Sequence, residues 1–283
     1  MSEIIDNPWT RLRSFTGARL ALGRAGDSLP TREVLEFALA HAQARDAVHN
    51  ALDTEALARD LAAHDFQSVI VQSAARDRAE YLRRPDLGRR LNDDSRLLIK
   101  QSCHRELKQS CHPERGAKRG VEEPALSLPK GSAFEKSQSE IPPVVFIIAD
   151  GLSAIAPERH AMQILQQMKT VLQGWRITPI VIATQARVAL GDEIGELLRA
   201  EMTVMLIGER PGLSSPDSLG IYLTYNPRIG CTDADRNCIS NVRPEGLSYE
   251  AAAHKLHHLM LAARRIGQSG VALKDESDQQ RLS

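Results

Sequence analysis

The sequence has little of several features that would place it in a familiar class. Lysine plus arginine and aspartate plus glutamate number 36 each among 283 residues, so no net charge attracts nucleic acid or an anionic membrane. Aromatic residues make up only 4%, which argues against a surface that stacks on bases. No apolar run approaches the roughly 20 residues of a membrane-spanning helix, and the first residues lack the basic and apolar regions of a signal peptide. We therefore expect a cytoplasmic protein that binds neither nucleic acid nor a membrane.

The chain also lacks the short motifs of several enzyme classes. It has no Gly-Lys-Ser/Thr phosphate loop, no glycine triple of a dinucleotide fold and no Gly-x-Ser-x-Gly nucleophile elbow.

Four cysteines in a chain of this length indicate reduced thiols rather than a disulfide framework. Cys238 has no base beside it in the sequence, so the residues alone favour a small buried thiol over a nucleophile.

What the chain does contain is an alternation of strands and helices after residue 143. A β-branched run at 144–149 is typical of a strand buried on both faces. Further segments follow it in turn: a helix at 158–173, a strand at 179–183, a helix near 191–200 and a strand at 202–207. This order predicts an α/β fold with a mainly parallel, Rossmann-like sheet flanked by helices, together with a helical N-terminal region. Asp150 and Glu209 each follow a strand, so both should lie at the ligand-binding carboxyl end of the sheet.

The last part of the chain adds one more strand, a long connection and a final helix. Residues 219–225 predict the strand, and 227–244 predict an irregular loop of the kind that carries function. Ser248 is a suitable N-cap and Gly267 a suitable stop for the helix. Its apolar stripe is Ala252, Leu256, Leu259, Met260 and Ala263.

The N-terminal region predicts helices around one short strand at 66–72. A helix begins at Thr31, and a second helix at 54–63 has Asp53 as its N-cap. The first helix has a stripe that should face the core, formed by Val34, Leu35, Ala38, Leu39 and Ala42. His41 and His49 lie on this helix without partners at metal-ligand spacing, so hydrogen-bonded structural roles are preferred to metal binding.

Residues 76–91 are rich in arginine around one Pro-Asp pair and one glycine. Guanidinium groups suit carboxylate or phosphate partners. Ion pairing within the chain or between subunits is slightly preferred to a phosphate site.

Residues 101–140 differ in style from everything around them. They are dominated by polar and charged residues and show no helical or strand period, so we expect a disordered surface loop. The pairs Cys103-His104 and Cys111-His112 invite a zinc hypothesis, but adjacent Cys-His lacks the Cys-x₂-Cys spacing of a zinc site. The segment resembles a translated interspersed DNA repeat. It divides the chain into a helical region at 1–100, an insertion at 101–140, an α/β core at 141–275 and a tail at 276–283.

Several motifs taken in order resemble the small (light) subunit of ethanolamine ammonia-lyase. They include Ala-Asp-Gly-Leu-Ser at 149–153, Gly-Glu-Arg-Pro-Gly-Leu at 208–213 and Arg-Asn-Cys-Ile-Ser-Asn at 236–241. The others lie at residues 15–19, 23–26, 40–49, 81–91 and 269–271. Each motif alone is weak evidence, whereas the ordered set is specific.

This resemblance implies an adenosylcobalamin-dependent enzyme that converts ethanolamine to acetaldehyde and ammonia. In that family a large TIM-barrel subunit holds the substrate, the small subunit covers the other side of the corrin, and the two form a hetero-oligomer. The resemblance implies cobalamin contacts at Val188, Glu209 and Cys238. No Asp-x-His-x-x-Gly motif offers a lower ligand, so base-on binding is expected.

Two residues depart from the family pattern, in which glycine stands at the positions of Ala186 and Arg199. If position 186 needs a positive φ, alanine there costs on the order of 1 kcal/mol and shifts the loop that carries Val188.

Two other hypotheses stay open at this point. One is a stand-alone cobalamin or small-molecule binding module that its insertion keeps from assembling, and the other is a hydrolase that uses Cys238. Relatives from bacterial microcompartments carry a longer N-terminal extension, so the free cytoplasm is the expected location.

Overall fold

A seven-stranded mixed sheet forms the centre of the structure, a computed structural model that describes residues 8–16, 18–109 and 143–277. The strands are β1 (Ser68–Gln72), β2 (Pro143–Ala149), β3 (Arg176–Ile177), β4 (Ile180–Thr184), β5 (Met202–Gly208), β6 (Leu219–Tyr225) and β7 (Arg236–Val242). Their order is β1-β4-β2-β5-β6-β7, with the short β3 beside β2. All pairs among β1 to β5 are parallel, whereas β6 and β7 each run antiparallel to the strand before them. The predicted α/β class is confirmed, and the sheet is mixed.

The part of the chain described also contains seven helices. They are α1 (Thr31–His49), α2 (Thr54–Ala63), α3 (Arg78–Arg83), α4 (Asp93–Gln109), α5 (Ile155–Val171), α6 (Leu190–Leu197) and α7 (Tyr249–Ile266). The predicted caps are confirmed: Asp53 accepts from the Ala56 N–H, and Ser248 accepts from the Ala251 N–H. Gly267 ends α7 in the left-handed region at φ 71°. No described helix is long and apolar enough to cross a bilayer.

The sheet is covered on both faces, as the unbroken apolar run of β2 predicts. Phe146 and Ile148 point into a large core formed with α2, α5 and α7. Ile147 points to the opposite face, into a smaller core that contains Ile99 of α4 and Ile194 of α6. Successive strand residues face opposite sides, so a strand buried on both sides is apolar throughout.

Helix α1 begins where the sequence predicts, but its apolar stripe does not face the core. Val34, Leu35 and Leu39 are 49%, 64% and 60% exposed, and Ala47 is the only residue of this helix that is fully covered. The prediction that this stripe packs inside the chain is wrong. A helical period shows which side of a helix is apolar, but it does not show what covers that side.

Strand β7 replaces part of the irregular connection expected at 227–244. It pairs antiparallel with β6 and forms the edge of the sheet. The strand was missed because Arg236, Asn237, Ser240 and Asn241 leave few apolar residues to mark its period. Polar side chains are usual on an edge strand, which has only one neighbour.

Helix α4 continues to Gln109 and therefore includes the first nine residues of the segment at 101–140. The expectation of a loop is wrong for that part. Residues such as Glu106, Leu107 and Lys108 have high helix propensity, and extending a helix costs less than starting one. Residues 110–140, including Cys111 and His112, lie outside the described residues, so the zinc and insertion hypotheses stay predictions there.

Candidate functional site

The carboxyl ends of β2 and β5 lie side by side, as predicted from the positions of Asp150 and Glu209. These strands are parallel neighbours, and Ala149 is the register partner of Ile207. The turn after β2 touches β5 closely, because a Cβ added to Gly151 would lie 2.2 Å from the Gly208 carbonyl oxygen. Both acidic residues are therefore at one end of the sheet, where open α/β sheets bind ligands.

Asp150 is buried and holds the neighbouring loop rather than facing a ligand. Its carboxylate accepts hydrogen bonds from the backbone N–H groups of Gln185 (2.8 Å) and Ala186 (3.0 Å). Arg78 Nη1 lies 3.1 Å from the same carboxylate and also donates to the Gly151 carbonyl. Burial raises the pKa of Asp150, and the charge of Arg78 and these N–H groups oppose the rise.

The loop that carries Val188 is fixed by the motif at 81–91. The Tyr81 hydroxyl donates to the Ala186 carbonyl at 3.0 Å, and the Arg187 N–H donates to the Gly88 carbonyl at 2.8 Å. The guanidinium of Arg187 also lies 4.4 Å from the centre of the Tyr81 ring, within cation–π range. Val188 is half-buried in this loop, two residues before α6 begins.

The backbone strain in this loop falls one residue earlier than anticipated. Gln185 has a φ of 55°, whereas Ala186 is not among the residues with positive φ. Position 186 does not need a positive φ, so alanine there causes no backbone strain and gives no reason for the loop to shift. Arg199, the second departure from the family pattern, does have a positive φ, 52°.

Glu209 is held by the ends of β6 and β7. Its Oε2 accepts hydrogen bonds from the Ser218 hydroxyl and, at 3.2 Å, from the Asn241 N–H. Among the described residues none donates to Oε1, and none forms an ion pair with Glu209. A Cβ on Gly220 would lie 3.1 Å from Oε1, so glycine leaves this oxygen accessible.

Cys238 lies on the same side of the sheet as Glu209 and is exposed, so the expectation of a buried thiol is wrong. It is the register partner of Tyr222 on β6. Partial burial of the sulfur raises the pKa of Cys238, the charge of Glu209 adds to the rise, and a hydrogen bond with Tyr222 opposes it. A raised pKa keeps the thiol protonated, and that argues against a nucleophile.

The structure thus places Glu209 and Cys238 on one face of the sheet, Glu209 beside Gly220 and Cys238 opposite Tyr222. Val188 lies on the same face, because it and Tyr222 both pack against the smaller core beneath α6. Sequence reasoning missed Ser218, Tyr222 and Asn241. One signal for Tyr222 was available. Side chains alternate between the two faces of a strand, so Gly220, Tyr222 and Thr224 share one face of β6, and the partner of Tyr222 on β7 is Cys238.

These features define a mixed α/β protein with a polar surface at the carboxyl end of its sheet and no complete catalytic set among its described residues. The sequence profile of the ethanolamine ammonia-lyase light chain (EutC) matches residues 6–111 and 124–274. The chain belongs to this family of lyase subunits, as the ordered motifs predict. The unmatched residues 112–123 lie inside the segment at 101–140.

Relatives described as ethanolamine ammonia-lyase small subunits are similar to the chain over nearly its whole length. The Pseudomonas putida protein is 50% identical over 275 residues, which cover 96% of this chain and 89% of the relative. The Azotobacter vinelandii protein is 50% identical over 283 residues, covering 99% and 93%. The Xanthomonas campestris protein is 50% identical over 272 residues, covering 95% and 88%.

Proposed function

We propose that this chain is the small subunit of a cytoplasmic, adenosylcobalamin-dependent ethanolamine ammonia-lyase. It works with a large TIM-barrel subunit that holds the substrate, and the cobalamin lies between the two. Family membership supports the reaction, and the surface formed by Val188, Glu209 and Cys238 supports the role of this chain. When bound, adenosylcobalamin supplies the radical chemistry of the reaction.

The residues at this surface fit a corrin with amide side chains. Glu209 Oε1 receives no hydrogen bond from a described residue, while Oε2 is held by Ser218 and Asn241. A fixed carboxylate with one free oxygen is suited to accept an amide N–H, and such charge-assisted hydrogen bonds are stronger than neutral ones. Gly220 keeps the approach to that oxygen open.

Val188 and Cys238 would supply contact area rather than charge. Val188 is anchored through the loop that Asp150, Tyr81 and Gly88 hold, so its position is set before any ligand arrives. Cys238 is a protonated, exposed thiol beside Tyr222. A preformed surface of this kind limits the entropy lost on binding.

Base-on binding is part of the proposal. The chain contains no Asp-x-His-x-x-Gly motif, so it offers no histidine from that motif to replace the base of the cofactor. The parallel strands β1, β4, β2 and β5, with their loops at one end, are also what a Rossmann-like arrangement would require.

The test uses this chain co-expressed with the large subunit from the same genome. The purified complex should release ammonia from ethanolamine only when adenosylcobalamin is present. Replacing Glu209 by alanine should weaken cobalamin binding by about 10-fold or more, because a hydrogen bond to a charged group contributes roughly 1.5–3 kcal/mol. Glu55→Ala, at an exposed position on α2, is the matched control. An unchanged dissociation constant for Glu209→Ala would remove Glu209 from the site.

The segment at 101–140 gives the second arm of the experiment. A chain that binds cobalamin alone and joins the large subunit only after deletion of 110–140 would be a stand-alone binding module. Assembly and turnover of the undeleted chain would show that the segment is tolerated, as loop-closure entropy predicts.

A further inference from the structure

A cavity of about 600 Å³ adjoins the surface proposed for the corrin. It lies between the turn at Leu87–Arg89, the start of α6 and the loop at 229–231. Ala189 lines it and directly follows Val188. Asp192 also lines it and forms an ion pair with Arg236, two residues before Cys238 on β7.

The residues that line this cavity carry more positive than negative charge: three arginines against two acids. Arg96 pairs with Glu193 at 2.7 Å, and Asp192 pairs with Arg236, so each of these lining acids already has a cation. Arg89 and Arg90 also line the cavity and form no ion pair or side-chain hydrogen bond with a described residue. Two unmatched guanidinium groups at one opening suit an anion with several oxygens, above all a phosphate.

The same arginine-rich motif contains an internal comparison. Arg76 pairs with Glu80 at 2.8 Å, Arg84 pairs with Asp86 at 2.7 Å, and Arg78 pairs with Asp150. Ion pairing within the chain, the interpretation preferred from sequence, therefore holds for these three arginines. It does not account for Arg89 and Arg90, which line the cavity without an acidic partner among the described residues.

The wall of the cavity also contains an acceptor without a donor. The Asp192 side chain is only 3% exposed, and its Oδ1 is buried without a hydrogen-bond partner in the described structure. A buried polar atom of this kind costs free energy unless it is satisfied. A hydroxyl group in the cavity could donate to Oδ1.

We propose that Arg89, Arg90 and Asp192 bind the nucleotide arm of the cobalamin, the two arginines its phosphate and Asp192 a ribose hydroxyl. This inference rests on the proposed function, because it assumes that the corrin lies on Val188, Glu209 and Cys238. A phosphate with a nearby hydroxyl is the combination that two free guanidinium groups and one free carboxylate oxygen recognise. The arm carries both groups, and its site begins one residue from Val188.

The experiment compares cobalamin with cobinamide, a corrin that lacks the nucleotide arm, on the purified complex of both subunits. Binding is measured by equilibrium dialysis and by the absorption spectrum of the bound corrin. Replacing Arg89 and Arg90 together by alanine should weaken cobalamin binding about 10- to 100-fold and leave cobinamide binding within about 2-fold. Asp192→Asn should act on cobalamin alone in the same way. Arg84→Ala removes an exposed arginine of the same motif and should change neither.

The remaining outcomes distinguish a failure of the arm site from a failure of the cobalamin site as a whole. A wild-type complex that binds neither corrin would overturn the cobalamin site itself. Equal losses for cobalamin and cobinamide, or a loss of subunit assembly in the double arginine variant, would show that Arg89 and Arg90 pair with acids of the large subunit. Normal cobalamin binding by a folded Asp192→Asn complex would remove Asp192 from the arm site, and circular dichroism establishes that the complex is folded.

Discussion

Arg78 on α3 lies 3.1 Å from Asp150 at the end of β2, and both side chains are largely buried. The pair joins two segments that are 72 residues apart. Asp150 in turn holds the backbone of Gln185 and Ala186, so one carboxylate links α3, the turn after β2 and the loop that carries Val188.

Replacing Asp150 by alanine should lower the free energy of unfolding by about 3–5 kcal/mol. The change removes the carboxylate that neutralises the buried Arg78 charge and leaves the backbone N–H groups of Gln185 and Ala186 without their acceptor. The midpoint of urea unfolding measures the loss. Asp86→Ala breaks an exposed arginine pair and should cost less than about 1 kcal/mol. Equal losses in the two variants would mean that Asp150 is not the anchor of the loop.

Arg199→Gly should raise the free energy of unfolding by about 0.5–1 kcal/mol. Arg199 has a φ of 52°, a conformation that costs a side-chain-bearing residue more than glycine. Its side chain is exposed and forms no ion pair or side-chain hydrogen bond with a described residue, so relief of strain should dominate. Thermal unfolding of the two proteins measures the gain. Arg199→Ala keeps the strain, and a similar gain there would point to the charge instead.

Asp192 should make stability depend on pH between about 4 and 6. Burial raises the pKa of Asp192 to about 6 from its ordinary 3.8, although Arg236 opposes the rise. The folded chain then holds this proton more tightly than the unfolded chain, so the contribution of Asp192 to stability increases as pH falls from about 6 towards 4. The full change is roughly 3 kcal/mol, since one pKa unit corresponds to about 1.4 kcal/mol.

The comparison for this pH effect is wild type against Asp192→Asn, with urea midpoints measured from pH 4.5 to 7. The advantage of wild type over the variant should grow as the pH falls. Asp27→Asn changes an exposed acid and should show no such trend. A constant difference between wild type and Asp192→Asn would indicate an ordinary pKa in the folded chain.

Cys238 should react slowly with iodoacetamide although it is exposed. Its raised pKa keeps the thiolate fraction small at pH 7, and the rate should rise with pH. Tyr222→Phe removes the hydrogen bond that lowers this pKa, so the variant should react a few-fold more slowly at pH 8. Mass spectrometry of the peptide that contains Cys238 follows the reaction, with Tyr225→Phe as the control. Faster reaction of Tyr222→Phe would reverse the role given to the hydroxyl.

Much of the sheet could be predicted because its strands are buried on both faces. β2 is a continuous apolar run and β5 is apolar apart from Thr203, and Asp150 and Glu209 directly follow these two strands, which are parallel neighbours. Local chemistry at Asp53, Ser248 and Gly267 likewise fixed the ends of α2 and α7. In each case the deciding interaction lies within a few residues of the pattern.

The remainder depends on contacts between distant residues, which no local pattern contains. β7 became a strand because β6 pairs with it, and that pairing exposed Cys238. The same limit applies to Asp150, whose position at a strand end suggested a ligand-facing carboxylate. Its partners, Arg78 and the backbone of Gln185 and Ala186, only meet it after folding.

The buried anchors of α6 also bear on the order in which the chain folds. Glu193 accepts from the Leu91 N–H, 102 residues earlier, and Asp192 pairs with Arg236, 44 residues later. An isolated helix of eight residues is unstable in water, so α6 becomes stable only after both of these long loops have closed. α6 should therefore be among the last elements to consolidate, and a nascent chain released before Arg236 would lack the support on which Val188 depends.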